Sequence, residues 1–132
     1  MVQEHLNFQE MTNLGCFYTP EKYVDHLIEK IKTQIPNFAD FVFLDSSCGY
    51  GSFLKPLKNF KTIGCDIDSK AIEIAKIKDE NSKYYCLNTL LNFSRESVSL
   101  TYDDKLIVIG NPPYNDTTSK VKQDLKNTTP CE

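Results

Sequence analysis

Four short apolar runs constrain the fold of this 132-residue chain most strongly. They read FVFLDSS, KTIGCDID, KYYCLN and KLIVIG, and they begin at residues 41, 61, 83 and 105. The first run shows no polar alternation, which is typical of a strand covered on both faces of a parallel sheet. Because helical segments precede and separate several of these runs, the pattern predicts a doubly wound α/β layer sandwich with a mostly parallel, Rossmann-like sheet.

The segment TPEKYVDHLIEKIKTQI predicts the first helix, over residues 20–36. We expect Thr19 at the N-cap and Pro20 at the first helical position, where its missing N–H costs nothing. Pro36 ends the helix. The expected apolar face consists of Val24, Leu27, Ile28, Ile31 and Ile35.

Two further helical stretches lie between the predicted strands. The segment LKPLKNF after the first strand is weakened as a helix by Pro56. The segment SKAIEIAKIKDE after the second strand is expected to begin at a cap supplied by Asp68 or Ser69. Its predicted buried stripe consists of Ala71, Ile72, Ala75 and Ile74.

The order of these elements predicts the sheet topology. Right-handed crossovers carry strand one to strand two and on to strand three along one side. Strand four then returns to the other side of strand one, which creates a topological switch point between strands one and four. Ligands in open α/β sheets bind at such a point, beyond the carboxyl ends of the strands.

Composition excludes several classes of function. A net charge of −3 argues against a self-sufficient nucleic-acid-binding domain, which usually carries a basic face. Five scattered cysteines without a CxxC pair, together with two histidines, predict no metal site. No apolar run approaches the roughly 20 residues that a membrane span needs, and no secretory signal is recognisable at the N-terminus, so we expect a cytoplasmic protein.

The segment DSSCGYGSF after the first strand contains a pair of glycines, Gly49 and Gly51. Glycines there let the backbone turn tightly and approach a ligand. Leu54 replaces the third glycine of the dinucleotide fingerprint, so a pyrophosphate cradle is poorly supported. Asp66, at the end of strand two, can accept hydrogen bonds from ribose hydroxyls, or it can be a helix cap or a solvated loop acid. A ribose site without a phosphate site favours S-adenosyl-L-methionine as the cofactor.

Asp45, at the end of strand one, has two interpretations. Its carboxylate faces the cofactor's ammonium group, or it caps the turn through hydrogen bonds to its own backbone.

The segment NPPY (residues 111–114) follows the fourth strand directly. Each proline fixes its own φ and restricts the residue before it, so the rigid segment begins at Asn111. The side-chain oxygen of Asn111 and the backbone oxygen of Pro112 then form a pair of fixed acceptors. Such a pair favours the tetrahedral form of a planar amino group, in which its lone pair becomes available. Tyr114 offers a ring on which a flat base stacks. The alternative is a proline-stiffened turn in which the asparagine bonds its own backbone.

These motifs resemble the N6-adenine DNA methyltransferases of restriction–modification systems. GCFYTP (residues 15–20) looks like the segment that lines the methionine end of the cofactor, DSSCGYGSF like the cofactor loop, and NPPY like the catalytic motif. The resemblance implies that an adenine flips out of the duplex, stacks on Tyr114 and donates to Asn111 and Pro112. Where the family has an acid after strand three, this chain has Asn88.

The resemblance implies two sets of site residues. The catalytic set is Asn111, Pro112, Pro113 and Tyr114. The cofactor-binding set is Tyr18, Thr19, Pro20, Asp45, Cys48, Gly49, Gly51, Asp66, Ile67, Asn88 and Asn111.

The resemblance also implies a partial catalytic domain. Residues 1–19 form an N-terminal segment, residues 20–36 a helix, residues 41–114 the core and residues 115–132 a polar tail. The family's basic target-recognition domain is absent, so DNA contact is expected through a missing C-terminal region, with a complementing subunit or self-association as a possible partner. The alternatives are a protein glutamine methyltransferase, which also uses NPPY, and a truncated cofactor-binding subunit that is inactive alone.

Overall fold

The computed structural model describes residues 19–113. Thr19–Asn111 form one compact unit, and Pro112 and Pro113 belong to a second one. The helices of the described part are α1 (Glu21–Gln34), α2 (Ser69–Lys78) and α3 (Thr89–Asn92), with short 3₁₀ turns at Phe38–Asp40, Lys55–Leu57 and Glu96–Val98. The strands are β1 (Phe41–Asp45), β2 (Lys61–Asp66), β3 (Lys83–Cys86) and β4 (Lys105–Val108).

The four strands form one sheet in the order β3-β2-β1-β4, and every neighbouring pair is parallel. The predicted topology is therefore confirmed, including the switch point between β1 and β4. The register places Asp45 opposite Gly64, and Gly64 opposite Tyr84. Since all strands run the same way, their carboxyl ends share one edge of the sheet.

Alternate residues of β1 enter two different hydrophobic clusters, as the absence of polar alternation predicted. Phe43 packs with residues of α1 on one face of the sheet, whereas Val42 and Leu44 pack with the segment before β4 on the other. The first cluster contains Val24, Ile28, Phe38, Phe43, Phe53, Leu57 and Ile109. The second contains Val42, Leu44, Ile63, Cys65, Val98 and Leu100.

Helix α1 forms where it was predicted, but its first turn differs from the expectation. Pro20 rather than Thr19 occupies the N-cap position, and no side chain caps the helix there. The Thr19 hydroxyl instead accepts a hydrogen bond from the Nδ2 of Asn111. Of the predicted apolar face, Val24 and Ile28 are buried and Ile31 is half-buried against them, whereas Leu27 is exposed.

A tyrosine from β3 crosses β2 and reaches the turn after β1. Tyr84 packs with Cys48, Leu54, Ile72 and Ala75 in a third cluster. A Cβ on Gly64 would lie 2.7 Å from the Tyr84 ring, so only glycine leaves room for this ring to cross the strand. Gly64 therefore has a packing role that its position within a predicted strand did not indicate.

Strand β1 ends two residues earlier than predicted. We expected it to run through Ser47, but the side-chain Oδ1 of Asp45 accepts a hydrogen bond from the Ser47 N–H at 3.1 Å. This Asx-type bond satisfies the amide locally and turns the chain away from the sheet.

Between residues 19 and 113, no helix has the length and apolarity to cross a bilayer. The same residues contain no group of three or more His, Cys, Asp or Glu side chains that could hold a metal ion.

Candidate active site

The four strand ends bring together the segments that carry the sequence motifs. The DSSCGYG segment follows β1, Asp66 closes β2, Asn88 follows β3, and Asn111 follows β4. The loops after β1 and β3 are joined directly, because the Thr89 hydroxyl donates to the backbone oxygen of Ser46 at 3.0 Å.

Asp66 anchors the glycine turn. Its Oδ2 accepts a hydrogen bond from the Gly49 N–H at 2.8 Å, and its Oδ1 accepts one from the Asp68 N–H at 2.9 Å. Burial raises the pKa of Asp66, while these two backbone hydrogen bonds act against the rise. A backbone hydrogen bond from Ile67 also acts against the rise, so backbone donors surround this carboxylate.

The two glycines of the turn have different roles. Gly49 has φ of 51°, which an L-residue with a Cβ rarely adopts, and its N–H meets Asp66. Gly51 has φ of 82°, and a Cβ on it would lie 2.5 Å from the Tyr84 hydroxyl oxygen. The second glycine is therefore required by a protein side chain rather than by a ligand.

Asp45 is almost fully buried, with 1% of its surface exposed. Burial raises the pKa of its carboxyl to about 7; the Ser47 hydrogen bond opposes this shift and the charge of Asp66 adds to it. Of the two interpretations of Asp45, turn capping is the one observed. Contact with a cofactor's ammonium group, the other interpretation, stays a prediction.

Cys48 contributes to the core rather than to the strand-end surface. Its side chain is buried against Leu54 and Ile72, and burial raises the pKa of its thiol. Its N–H donates to the backbone oxygen of Cys65 at 2.8 Å. As a predicted cofactor-binding residue, Cys48 therefore has at most its backbone at the turn.

The segments after β2 and β3 differ in what they expose. Ile67 leaves 63% of its surface exposed beside Asp66. Asn88 is the N-cap of α3, and its Oδ1 accepts a hydrogen bond from the Leu90 N–H at 3.1 Å. The one oxygen predicted to meet the cofactor's base thus already has a helix-capping role.

Asn111 is joined to the start of α1. Its Nδ2 donates to the Thr19 hydroxyl oxygen at 3.0 Å, across 92 residues of sequence. Within residues 19–113 this is the hydrogen bond recorded for its side chain, and it engages the nitrogen rather than Oδ1. The alternative interpretation, an asparagine bonded to its own backbone, is not what the structure has. Pro112 and Pro113 are exposed, and the predicted site residues Tyr18 and Tyr114 lie outside the described residues.

The roles of three residues near the site were not predicted from the sequence. Thr89 ties the β3 loop to the β1 loop, and a Cβ on Gly110 would lie 2.5 Å from the Oδ1 of Asp45. The Ser47 hydroxyl is buried and, among residues 19–113, has no hydrogen-bond partner. Only Gly110 carried a signal, since a glycine between an apolar strand and NPPY indicates a close backbone approach.

Comparison with known proteins gives the fold a context. No protein-family profile matches the chain. Over 116 residues it is 28% identical to the type II methyltransferase M.CvrRI of Paramecium bursaria Chlorella virus XZ-6E, a match that covers 84% of this chain and 27% of the viral protein. The chain therefore spans about a quarter of the length of this curated relative.

Solved structures show the same architecture. The chain superposes on a predicted N6-adenine-specific DNA methylase from Listeria monocytogenes str. 4b F2365 with a TM-score of 0.54 at 19% identity, covering 86% of this chain and 40% of that one. A TehB-like SAM-dependent methyltransferase from Corynebacterium glutamicum gives a TM-score of 0.49 at 19% identity, covering 78% and 50%. The superposition on the Listeria protein shows that the described part of this chain shares, in partial form, the Rossmann-like parallel α/β fold of that structure.

Proposed function

We propose that this chain supplies the cofactor-binding and catalytic-motif part of a methyltransferase that acts on the exocyclic N6 amino group of adenine in DNA, with S-adenosyl-L-methionine as the methyl donor. The observation that carries the proposal is the hydrogen bond from Asn111 to Thr19 at the carboxyl end of β4. It turns the amide nitrogen toward α1 and leaves the amide oxygen as the acceptor for a target.

The restraint on Asn111 matters for the chemistry. The lone pair of an aromatic amino group is delocalised into its ring, so the nitrogen is a poor nucleophile. Two fixed acceptors, Oδ1 of Asn111 and the backbone oxygen of Pro112, would favour the tetrahedral nitrogen and its developing positive charge. By analogy with an oxyanion-hole donor, each contributes about 3–4 kcal/mol to the transition state.

The described residues on the strand-end surface fit an adenosyl group. We assign the Asp66 carboxylate as the acceptor for ribose hydroxyls, and the exposed side chain of Ile67 suits the face of a purine. The left-handed Gly49 keeps side-chain atoms away from the turn between them. No basic cradle for a pyrophosphate accompanies these groups in the DSSCGYG segment.

The proposed reaction is a direct displacement. When bound, the cofactor supplies a methyl group on a positively charged sulfur. The adenine nitrogen forms the new N–C bond as the S–C bond breaks, and the sulfur keeps the electron pair of that bond. Asn111 and Pro112 hold the two amino hydrogens during attack, after which the excess proton leaves to water.

Similarity supports the choice of substrate. M.CvrRI is named a type II methyltransferase, and the Listeria protein is described as a predicted N6-adenine-specific methylase of DNA. With a net charge of −3, this chain is proposed to reach DNA through a target-recognition region elsewhere, on a longer chain or a complementing subunit.

Two variants separate binding from chemistry. In calorimetric titrations with S-adenosylhomocysteine, Asp66→Ala should raise the dissociation constant at least tenfold. This equals a loss of about 1.4 kcal/mol of binding free energy. Asn111→Ala should leave the constant within about threefold, a difference under 1 kcal/mol. If Asn111→Ala weakens cofactor binding as much as Asp66→Ala does, Asn111 does not act in methyl transfer alone.

The substrate is tested with methyl-labelled cofactor. The chain is incubated with DNA and with protein as alternative methyl acceptors, and label is sought in each. N6-methyladenine in digested DNA, lost in Asn111→Ala, is the expected result. Label in glutamine side chains would identify a protein methyltransferase instead, and binding without any transfer would identify a cofactor-binding subunit.

A further inference from the structure

The buried carboxylate of Asp45 lies directly against the backbone of Gly110. An ideal Cβ on Gly110 would lie 2.5 Å from Oδ1, 3.0 Å from Cγ and 3.3 Å from Oδ2 of Asp45. Real Cβ atoms do not approach other atoms so closely, so Asp45 occupies the space that any side chain at position 110 would need. This contact lies at the switch point, where β1 and β4 end side by side.

The contact comes one residue before Asn111. The last backbone bond between the two strands runs from the Ile109 N–H to the Leu44 oxygen at 2.9 Å. Beyond that bond, Gly110 rests on Asp45, and Asn111 is then held by Thr19. The backbone entering the NPPY segment is therefore supported by Asp45 on the side of β1.

We propose that Asp45 is a positioning residue for Asn111 and acts through the side-chain-free backbone of Gly110. The inference rests on the proposed function, since only a role for Asn111 in methyl transfer makes its position matter. It assigns Asp45 to the support of the catalytic motif and not to direct contact with the cofactor. The near-complete burial of Asp45 agrees with this assignment.

A physical argument links the contact to activity. A methyl group at position 110 would push the β4 end away from Asp45, because the Ser47 N–H holds that carboxylate in place. A displacement of the attacking geometry by about 1 Å costs on the order of 100-fold in rate. The same displacement would change the hydrogen bond between Asn111 and Thr19, which can be observed without turnover.

The test is a rescue cycle read by NMR. The side-chain amide resonances of Asn111, assigned with Asn111→Ala, report its hydrogen bond to Thr19. Gly110→Ala should move these resonances, and Asp45→Ala in the same chain should bring them back toward their original positions, because it removes the Oδ1 and Cγ atoms that clash. Gly64→Ala is the matched control, since its Cβ would meet Tyr84 at 2.7 Å rather than Asp45. Its effects should not be relieved by Asp45→Ala.

A second pair of variants covers the case in which Gly110→Ala does not fold. Asp45→Asn keeps the size of the side chain and should leave the Asn111 amide resonances in place. Asp45→Ala removes the support and should shift them. If neither Gly110→Ala nor Asp45→Ala moves the Asn111 resonances, or if the double variant shows no recovery, the proposal is wrong. These results do not depend on cofactor or DNA, so a failure of the methyl-transfer assay alone would count only against the proposed function.

Discussion

Single residues at this site show how burial sets chemistry. Asp45 has a carboxyl that water scarcely reaches, so its charged form is penalised and its pKa rises to about 7. Asp66 has a pKa shifted in the same direction, by burial first. A carboxyl with a higher pKa in the folded state than in the unfolded state binds its proton more tightly when the protein is folded. The free energy of unfolding therefore decreases as pH rises and that proton is lost.

Between pH 5 and pH 8, Asp45 should therefore lower the stability of the protein as pH rises. Asp45 is ordinarily ionised above a pKa of 3.8, whereas in the folded state it holds its proton up to about pH 7. Its contribution is complete at low pH, is lost between these two values, and is absent above pH 8. The free energy of unfolding from urea titrations should drop by about 2–3 kcal/mol between pH 5 and pH 8.

Asp45→Asn should remove most of this pH dependence, because the amide does not titrate. The exposed acid Asp103 provides a control, and Asp103→Asn should keep the wild-type profile. An unchanged slope in Asp45→Asn would mean that another group is responsible.

At the level of elements, the two long helices begin differently. Helix α2 begins at Asp68, whose Oδ1 accepts hydrogen bonds from the Lys70 and Ala71 N–H groups at 3.0 and 3.3 Å. The sequence offered Asp68 or Ser69 for this cap, and the structure selects Asp68. Helix α1 has no such cap, since Thr19 is engaged with Asn111.

Loss of the α2 cap should be measurable. Asp68→Ala leaves helix N–H groups without their acceptor and should lower the free energy of unfolding by about 1 kcal/mol. Asp68→Asn, which keeps an acceptor oxygen, should lose less. Thermal melts with Asp103→Ala as the charge-matched control check this, and equal losses in Asp68→Ala and the control would contradict it.

At the scale of the whole described unit, β1 is an inner strand that pairs with both β2 and β4. Phe43 in this strand is fully buried, and its ring lies 4.6 Å from that of Phe38 and 5.8 Å from that of Phe60. The ring connects the central strand to the 3₁₀ turn before it and to the segment before β2. Phe43 thus packs the sheet against its helical layer.

Phe43→Ala should be severely destabilising. Removing a fully buried ring costs about 3–5 kcal/mol, a large share of the 5–15 kcal/mol that stabilises a typical domain. Tyr102→Ala, at a ring that is 86% exposed, should change the unfolding free energy by less than about 0.5 kcal/mol. Comparable urea midpoints for the two variants would show that the core does not centre on Phe43.

The sequence by itself determined the α/β class and the strand order, and it predicts a stiff NPPY segment. These properties follow from local information: apolar runs, helical periodicity, the handedness of crossovers and the fixed φ of proline. The pairing of Asp68 with the start of α2 is equally local, since its partners lie two and three residues away.

Only the tertiary structure decided which partners the predicted site residues have. It turned the sulfur of Cys48 into the core, committed Asp66 to Gly49, and joined Asn111 to Thr19. Such partners depend on where each strand stops and on its register, and a shift of one residue reverses the face of every side chain. Residues 17 and 92 positions apart in sequence meet only when the strands have paired, so no local pattern records them.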